Sequence, residues 1–121
     1  MELTLQANKS SIFIKNYENK CFYIGDRRYE HNIIIANNKI SKWNISNIHK
    51  LKIDDFHNIL ESGPEIIIIG TGVEPILPKT EISRIVQDRN IGIEFMKTES
   101  ACKTFNLLIS EERNVAAALL S

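Results

Sequence analysis

A chain of 121 residues is the size of one domain, and with 43% hydrophobic and 25% charged residues it can bury a core without a disulfide scaffold. Its 15 Lys and Arg balance its 15 Asp and Glu, so no net field steers it to nucleic acid or to an anionic membrane. Apolar runs such as Ile66–Ile69 are far too short to span a bilayer, and the opening MELTLQANKS has neither a basic-then-apolar secretory layout nor an Arg-rich transit layout.

The first third predicts β-structure. SIFIKNY, CFYIGDRRY, HNIIIANNK and ISKWNI are short runs rich in Ile, Phe and Tyr, separated by Asn, Gly and Asp. Ile24-Gly25-Asp26-Arg27 suits a tight hairpin turn because glycine accepts positive φ. Ala36-Asn37-Asn38-Lys39 suits another because asparagine tolerates the left-handed region. Asp54 or Asp55 can then N-cap a helix with Phe56, Ile59 and Leu60 on one face, stopped by Gly63 and Pro64.

Ile66–Ile69 does not alternate, the pattern of a central strand covered on both faces. Pro78 can open a helix that turns Ile82, Ile85 and Val86 inward. Ile91, Ile93 and Phe95 alternate as a further strand, and one intervening helix makes it parallel to the strand at 65–69. Thr98 is placed to cap a helix carrying Ala101, Cys102, Phe105, Leu108 and Ile109 on its inner face. A charged turn, Glu111–Asn114, follows. The closing VAAALL is either a buried small-residue strand or a helix, and the turn before it favours the strand. The whole predicts one α/β domain over 1–121: a three-layer arrangement in which a β-rich N-terminal part packs with a central mixed sheet flanked by helices.

The stretch EIIIIGTGVEPILPK carries the main functional question. A dinucleotide fingerprint needs G-x-G-x-x-G after a strand and an immediate helix. Gly70 and Gly72 fit, but Pro75 stands at the third position and VEPILP delays the helix. A Walker A loop would need Gly-Lys-Ser/Thr, which is absent. The favoured reading is a strand-end turn whose glycines permit close backbone packing. The competing reading keeps the amides of Thr71 and Gly72 free for a small anion, with Lys97 or Lys103 supplying charge.

Other constellations point to structure. Cys21 and Cys102 lie far apart, outside CxxC or CxxH spacings, and read as reduced thiols in a cytosolic setting. Cys102, although near a helix start, sits on the apolar face and reads as a core residue. His31, His49 and His57 have no paired spacing, Asp54-Asp55 reads as a helix start, and no Gly-x-Ser-x-Gly elbow occurs. Trp43 and the tyrosines form no basic-aromatic nucleic-acid pattern. No cofactor, metal or nucleic-acid partner is expected.

Several ordered blocks carry a family resemblance. Glu65–Gly72 (EIIIIGTG), Ile91–Met96 (IGIEFM), Thr98–Asn106 (TESACKTFN) and Arg113–Leu120 (RNVAAALL) follow one another at the family's spacings. Tyr17, Phe22–Gly25, Tyr29 and Trp43 are similar to its opening hairpins. Over residues 12–120 the chain resembles the small-domain family that includes mitochondrial NADH dehydrogenase (complex I) assembly factor three. That resemblance implies a single α/β domain whose last strand is antiparallel to the others. It implies no catalytic residues. The chain departs from the family's usual Asp at Lys97, Arg at Lys103, Tyr at Phe105 and Gly at Glu112.

The function implied is that of a non-enzymatic accessory protein acting on complex I subunits or other assembly factors, in the bacterial cytoplasm beside the inner membrane and without inserting into it. The surface expected to meet a partner is the loop Gly70–Pro78, including Thr71 and Gly72, with Lys97, Thr98 and Lys103 beside the helix start. The alternative is a small-anion or metabolite binder using Gly70, Thr71 and Gly72.

Overall fold

A computed structural model of the chain describes residues 12–45, 47–76 and 80–121. The N-terminal runs form β1 (Ile14–Glu18), β2 (Cys21–Ile24) and β3 (Arg27–Tyr29), an antiparallel three-stranded sheet in the order β1-β2-β3. The next hairpin, β4 (Ile33–Ala36) and β5 (Lys39–Lys42), joins a different, larger sheet. The predicted turns hold: Gly25 has φ of 60°, and Asn37 and Asn38 have 57° and 60°. Asn19 and Lys20 make a similar turn at 54° and 60°.

The helix expected from Asp54 or Asp55 is shorter than its pattern suggests. After a 3-10 turn at Ile48–Lys50, a second at Ile53–Phe56 precedes α1 (His57–Glu61). Neither aspartate caps α1, because Asp55 Oδ2 turns back to accept from the Lys52 amide at 2.7 Å and Asp54 stays exposed. Phe56, Ile59 and Leu60 are buried as expected, and Gly63, at φ 65°, ends the element.

Then come β6 (Ile66–Gly70), α2 (Thr80–Gln87), β7 (Gly92–Met96), α3 (Thr98–Ser110) and β8 (Val115–Leu119). The expected helix opening at Pro78 lies outside the described residues. Ile82 and Val86 of α2 are buried, and Ile85 is half-buried. β6 and β7 are parallel as predicted, with Ile66 opposite Gly92. The closing VAAALL is a strand, and every residue of β8 is buried.

The large sheet has the order β5-β4-β8-β6-β7. The expectation that the last strand runs antiparallel to the others is corrected here. β8 is parallel to β6, with Ile67 opposite Ala116, and antiparallel to β4 alone. The cause is α3: a helical crossover returns the chain to the end of the sheet from which β7 started, so the next strand must run the same way. The odd strand is β4. It pairs antiparallel with both β5 and β8.

Two cores result, one on each face. On one side Trp43, just after β5, joins Phe56, Ile59, Ile82 and Val86 of the second 3-10 turn, α1 and α2 over Ile67, Ile69, Ala116 and Ala118. On the other, α3 and the small sheet pack Phe22, Ala101, Cys102 and Phe105 onto Ile68, Val115, Ala117 and Leu119. The three predicted layers are therefore helices, mixed sheet, and α3 with the three-stranded sheet. The run of isoleucines in β6 is explained, since its alternate residues serve opposite cores.

The end of α3 carries a Schellman closure. The Glu112 amide donates to Ile109 O at 2.9 Å and the Arg113 amide to Leu108 O at 3.1 Å. Glu112 takes a φ of 59° to do so, a conformation that favours glycine. Beyond it, Glu65 fastens the turn to β6 by accepting from Arg113 Nε at 3.0 Å and from the Asn114 amide at 3.1 Å. The Asn114 amide bond, then the Arg113 side chain, hold the Glu65 carboxyl below its usual pKa.

Candidate functional site

The Gly-Thr-Gly turn sits where β6, β7, α3 and β8 meet. Gly70 is the last residue of β6 and lies against Thr98, the first residue of α3. A Cβ at Gly70 would stand 2.9 Å from Thr98 Oγ1, 3.0 Å from Leu119 Cδ2 and 3.1 Å from Thr98 Cα, so only glycine fits. Gly72 needs its freedom for a different reason: its φ is 89°. The close-packing reading therefore holds for Gly70, whereas nothing would meet a Cβ at Gly72 within 4 Å and its glycine serves the backbone conformation.

The donors that an anion would use are already committed. The Thr71 amide donates to Met96 O at 2.8 Å, and the Gly72 amide donates to Thr98 Oγ1 at 2.8 Å. The expectation of free amides at Thr71 and Gly72 is therefore corrected: β7 and α3 take both. The Thr71 hydroxyl donates to Glu74 O at 2.6 Å and folds the loop back on itself.

Thr98 is the centre of this arrangement. Its side chain is 0% exposed, its amide donates to Gly72 O at 2.9 Å, and its hydroxyl donates to Leu120 O at 2.7 Å while accepting from Gly72 N. Leu120 N in turn donates to Gly70 O at 3.0 Å. The expectation that Thr98 caps α3 is corrected as well. The residue before the helix is Lys97, with no side-chain cap, and the Thr98 hydroxyl is spent across the fold instead. One signal did exist in the sequence. A capping box would place Glu or Gln three residues after the cap, and Ala101 stands there.

The six predicted site residues thus separate. Gly70, Thr71 and Thr98 are buried and shape the loop from within, and Gly72 is half-buried. Lys97 and Lys103 are exposed. Lys97 borders an open cleft of about 420 Å³ with Tyr17, Glu18, Asn19, Gly72, Val73 and Glu99, whereas Lys103 does not reach it. Two carboxylates beside one lysine disfavour an anion there. The outward part of the loop is Val73, 75% exposed, with Glu74 and Pro75. Its far end at Pro78 lies outside the described residues.

Cys102 is a core residue, as read. It is 5% exposed, and burial, with Glu99 adding to it, pushes its thiol pKa up to about 12. Burial also raises the Tyr17 pKa, with smaller contributions from Cys102 and Glu99. Among the described residues no three His, Cys, Asp or Glu side chains cluster as metal ligands. No helix among them is long and apolar enough to cross a membrane.

A profile of the family described as "Protein of unknown function (DUF498/DUF598)" matches residues 14–120. The chain belongs to the DUF498/DUF598 family. Proteins similar to it include the "13 kDa major membrane protein" of Francisella tularensis subsp. holarctica (strain LVS), 34% identical over 122 residues, covering 98% of this chain and 99% of that one. They also include NADH dehydrogenase (ubiquinone) 1 alpha subcomplex assembly factor 3 of Xenopus tropicalis, 31% identical over 114 residues and 90% of this chain. The match covers 61% of that assembly factor's own length. Among solved structures, a Bordetella parapertussis protein superposes with a TM-score of 0.84 at 25% identity, over 91% of this chain and 95% of that one. The resemblance drawn from the ordered sequence blocks is thereby borne out, and the mixed three-layer fold is a shared one.

Proposed function

We propose that this protein is a non-enzymatic accessory factor that works through protein contacts, in the assembly of respiratory complex I. The observation that carries the reading is the 31% identity to a named complex I assembly factor over 90% of this chain. The site geometry is compatible with it. The strand-end amides are satisfied internally, so the loop is a built structural element with an exposed apolar tip at Val73. Such a loop presents a preorganised shape to a partner at low entropic cost. The partners in this reading are complex I subunits or other assembly factors, met on the cytoplasmic side of a bacterial inner membrane. The membrane designation of the Francisella relative suits work beside a membrane complex.

The test is genetic. Deleting the gene in its own organism should lower membrane NADH:quinone activity and the amount of complex I on native gels, and a plasmid copy should restore both. Full activity and normal complex I in the deletion strain, or an organism without complex I, would refute the proposal.

A further inference from the structure

Sheet edges offer unpaired backbone groups to other chains, and proteins commonly guard them. Three of the edges here are guarded. β5 reads Lys39-Ile40-Ser41-Lys42, with a lysine at each end, and β3 carries Arg27 and Arg28. On β1, the Asn106 side chain acts as a surrogate strand: Nδ2 donates to Ile14 O at 2.8 Å and Oδ1 accepts from Ile14 N at 2.9 Å. Asn16 Oδ1 further accepts from the Tyr17 amide at 2.8 Å.

β7 is different. It is the terminal strand of the large sheet, Gly92-Ile93-Glu94-Phe95-Met96, and among the described residues no strand pairs with its outer side. Gly92 N donates to Glu65 O and Met96 O accepts from Thr71 N, which fixes the phase of the strand. Gly92, Glu94 and Met96 therefore face β6, and the N–H and C=O groups of Ile93 and Phe95 point outward. The Ile93 and Phe95 side chains are half-buried against the helical core, so an added strand would cover apolar surface as well as pair backbone.

Glu94 selects the occupant. If two copies paired antiparallel in the register that uses both Ile93 and Phe95, Glu94 would stand directly opposite its own counterpart. Like charges facing each other across a pair are destabilising, and an opposite charge is favourable. We infer that the outer edge of β7 takes an extended strand of a partner protein, apolar where it meets Ile93 and Phe95 and carrying Lys or Arg opposite Glu94. This rests on the protein-contact part of the reading above and names the surface that makes the contact, by strand addition.

The experiment uses the full ¹⁵N-labelled chain with two end-capped peptides, VTVKVTV and VTVEVTV, read by amide hydrogen exchange and by titration. The lysine peptide should slow exchange at the Ile93 and Phe95 amides and bind about fivefold more tightly than the glutamate peptide. Glu94→Lys should reverse that preference. Ile93→Pro should abolish the protection, because it deletes an outward donor and leaves the bonds to β6 in place. If Ile93→Pro does not fold, judged by circular dichroism, Glu94→Lys decides alone. No protection at Ile93 and Phe95, protection at Lys39–Lys42 instead, or an unchanged preference in Glu94→Lys would overturn the inference. So would concentration-dependent dimerisation that protects the same amides without peptide. Normal complex I in the deletion strain alongside edge protection refutes the assembly role alone; defective complex I without protection refutes only the edge.

Discussion

Thr98 offers the sharpest test of how the strand-end loop is held. Thr98→Val keeps the branched shape and replaces the hydroxyl with a methyl group. The Gly72 amide loses its acceptor at 2.8 Å and Leu120 O loses its donor at 2.7 Å. Leaving a buried polar group unpaired costs about 1–3 kcal/mol, and both groups belong to half-buried residues, so the loss should total about 2–4 kcal/mol. That is a large share of the roughly 5–15 kcal/mol that holds a domain of this kind together. Thr98→Ser retains the hydroxyl, removes one methyl group, and should cost about 1 kcal/mol. Urea unfolding followed by the fluorescence of the single, buried Trp43 measures both variants. A Val variant within about 0.5 kcal/mol of the parent would refute the reasoning. So would a Ser variant as damaged as the Val variant, since the methyl group and not the hydroxyl would then be at work.

Three further outcomes are expected. Glu112→Gly should raise stability by about 0.5–1 kcal/mol in the same assay, because the residue closes α3 at a φ of 59° and relief of that strain exceeds the added freedom of the unfolded chain. The Glu65 carboxyl titrates below its usual range in the folded state, so its stabilisation is present above the unfolded pKa and lost as pH falls through the folded one. Unfolding midpoints taken from about pH 7 to about pH 3 should therefore fall less steeply in Glu65→Gln than in the parent, and identical slopes would remove Glu65 from the acid response. Cys102, buried and with its pKa at about 12, should stay unlabelled by a thiol reagent in the native protein and react only on unfolding.

The elements with strong local patterns were legible in the sequence. The unbroken isoleucines of β6, the alternation of β7 and the apolar face of α3 each follow from how one segment meets its surroundings. Pairing was harder to see. Nothing within Val115–Leu119 says that it lies between β4 and β6, although three consecutive alanines suit a strand crowded on both faces. The direction of β8 follows from the crossover through α3, not from its own residues. Asp54 and Asp55 have the composition of a helix start, yet a 3-10 turn uses Asp55 one step earlier. At the candidate site, both Gly70 and Gly72 were read as packing glycines; only Gly70 is one, and Thr98, the group it packs on, was not foreseen. The Thr98 hydroxyl bonds residues 26 and 22 positions away, and no local pattern encodes that. Buried groups thus looked available in the sequence, whereas the exposed edge of β7 becomes visible only once the strand order is known.

The middle place of β8 also bears on how the chain emerges during synthesis. β4 and β6 have no hydrogen-bond contact with each other; each reaches the other only through β8. Without Val115–Leu119 in place, the β4–β5 hairpin and the parallel β6–β7 pair are two separate half-sheets, each with an inner edge open. They cannot close until Val115–Leu119 clears the ribosome and inserts between them. Completion of the large sheet therefore waits for Val115–Leu119, and a released chain truncated after Asn114 should leave both inner edges exposed to chaperones.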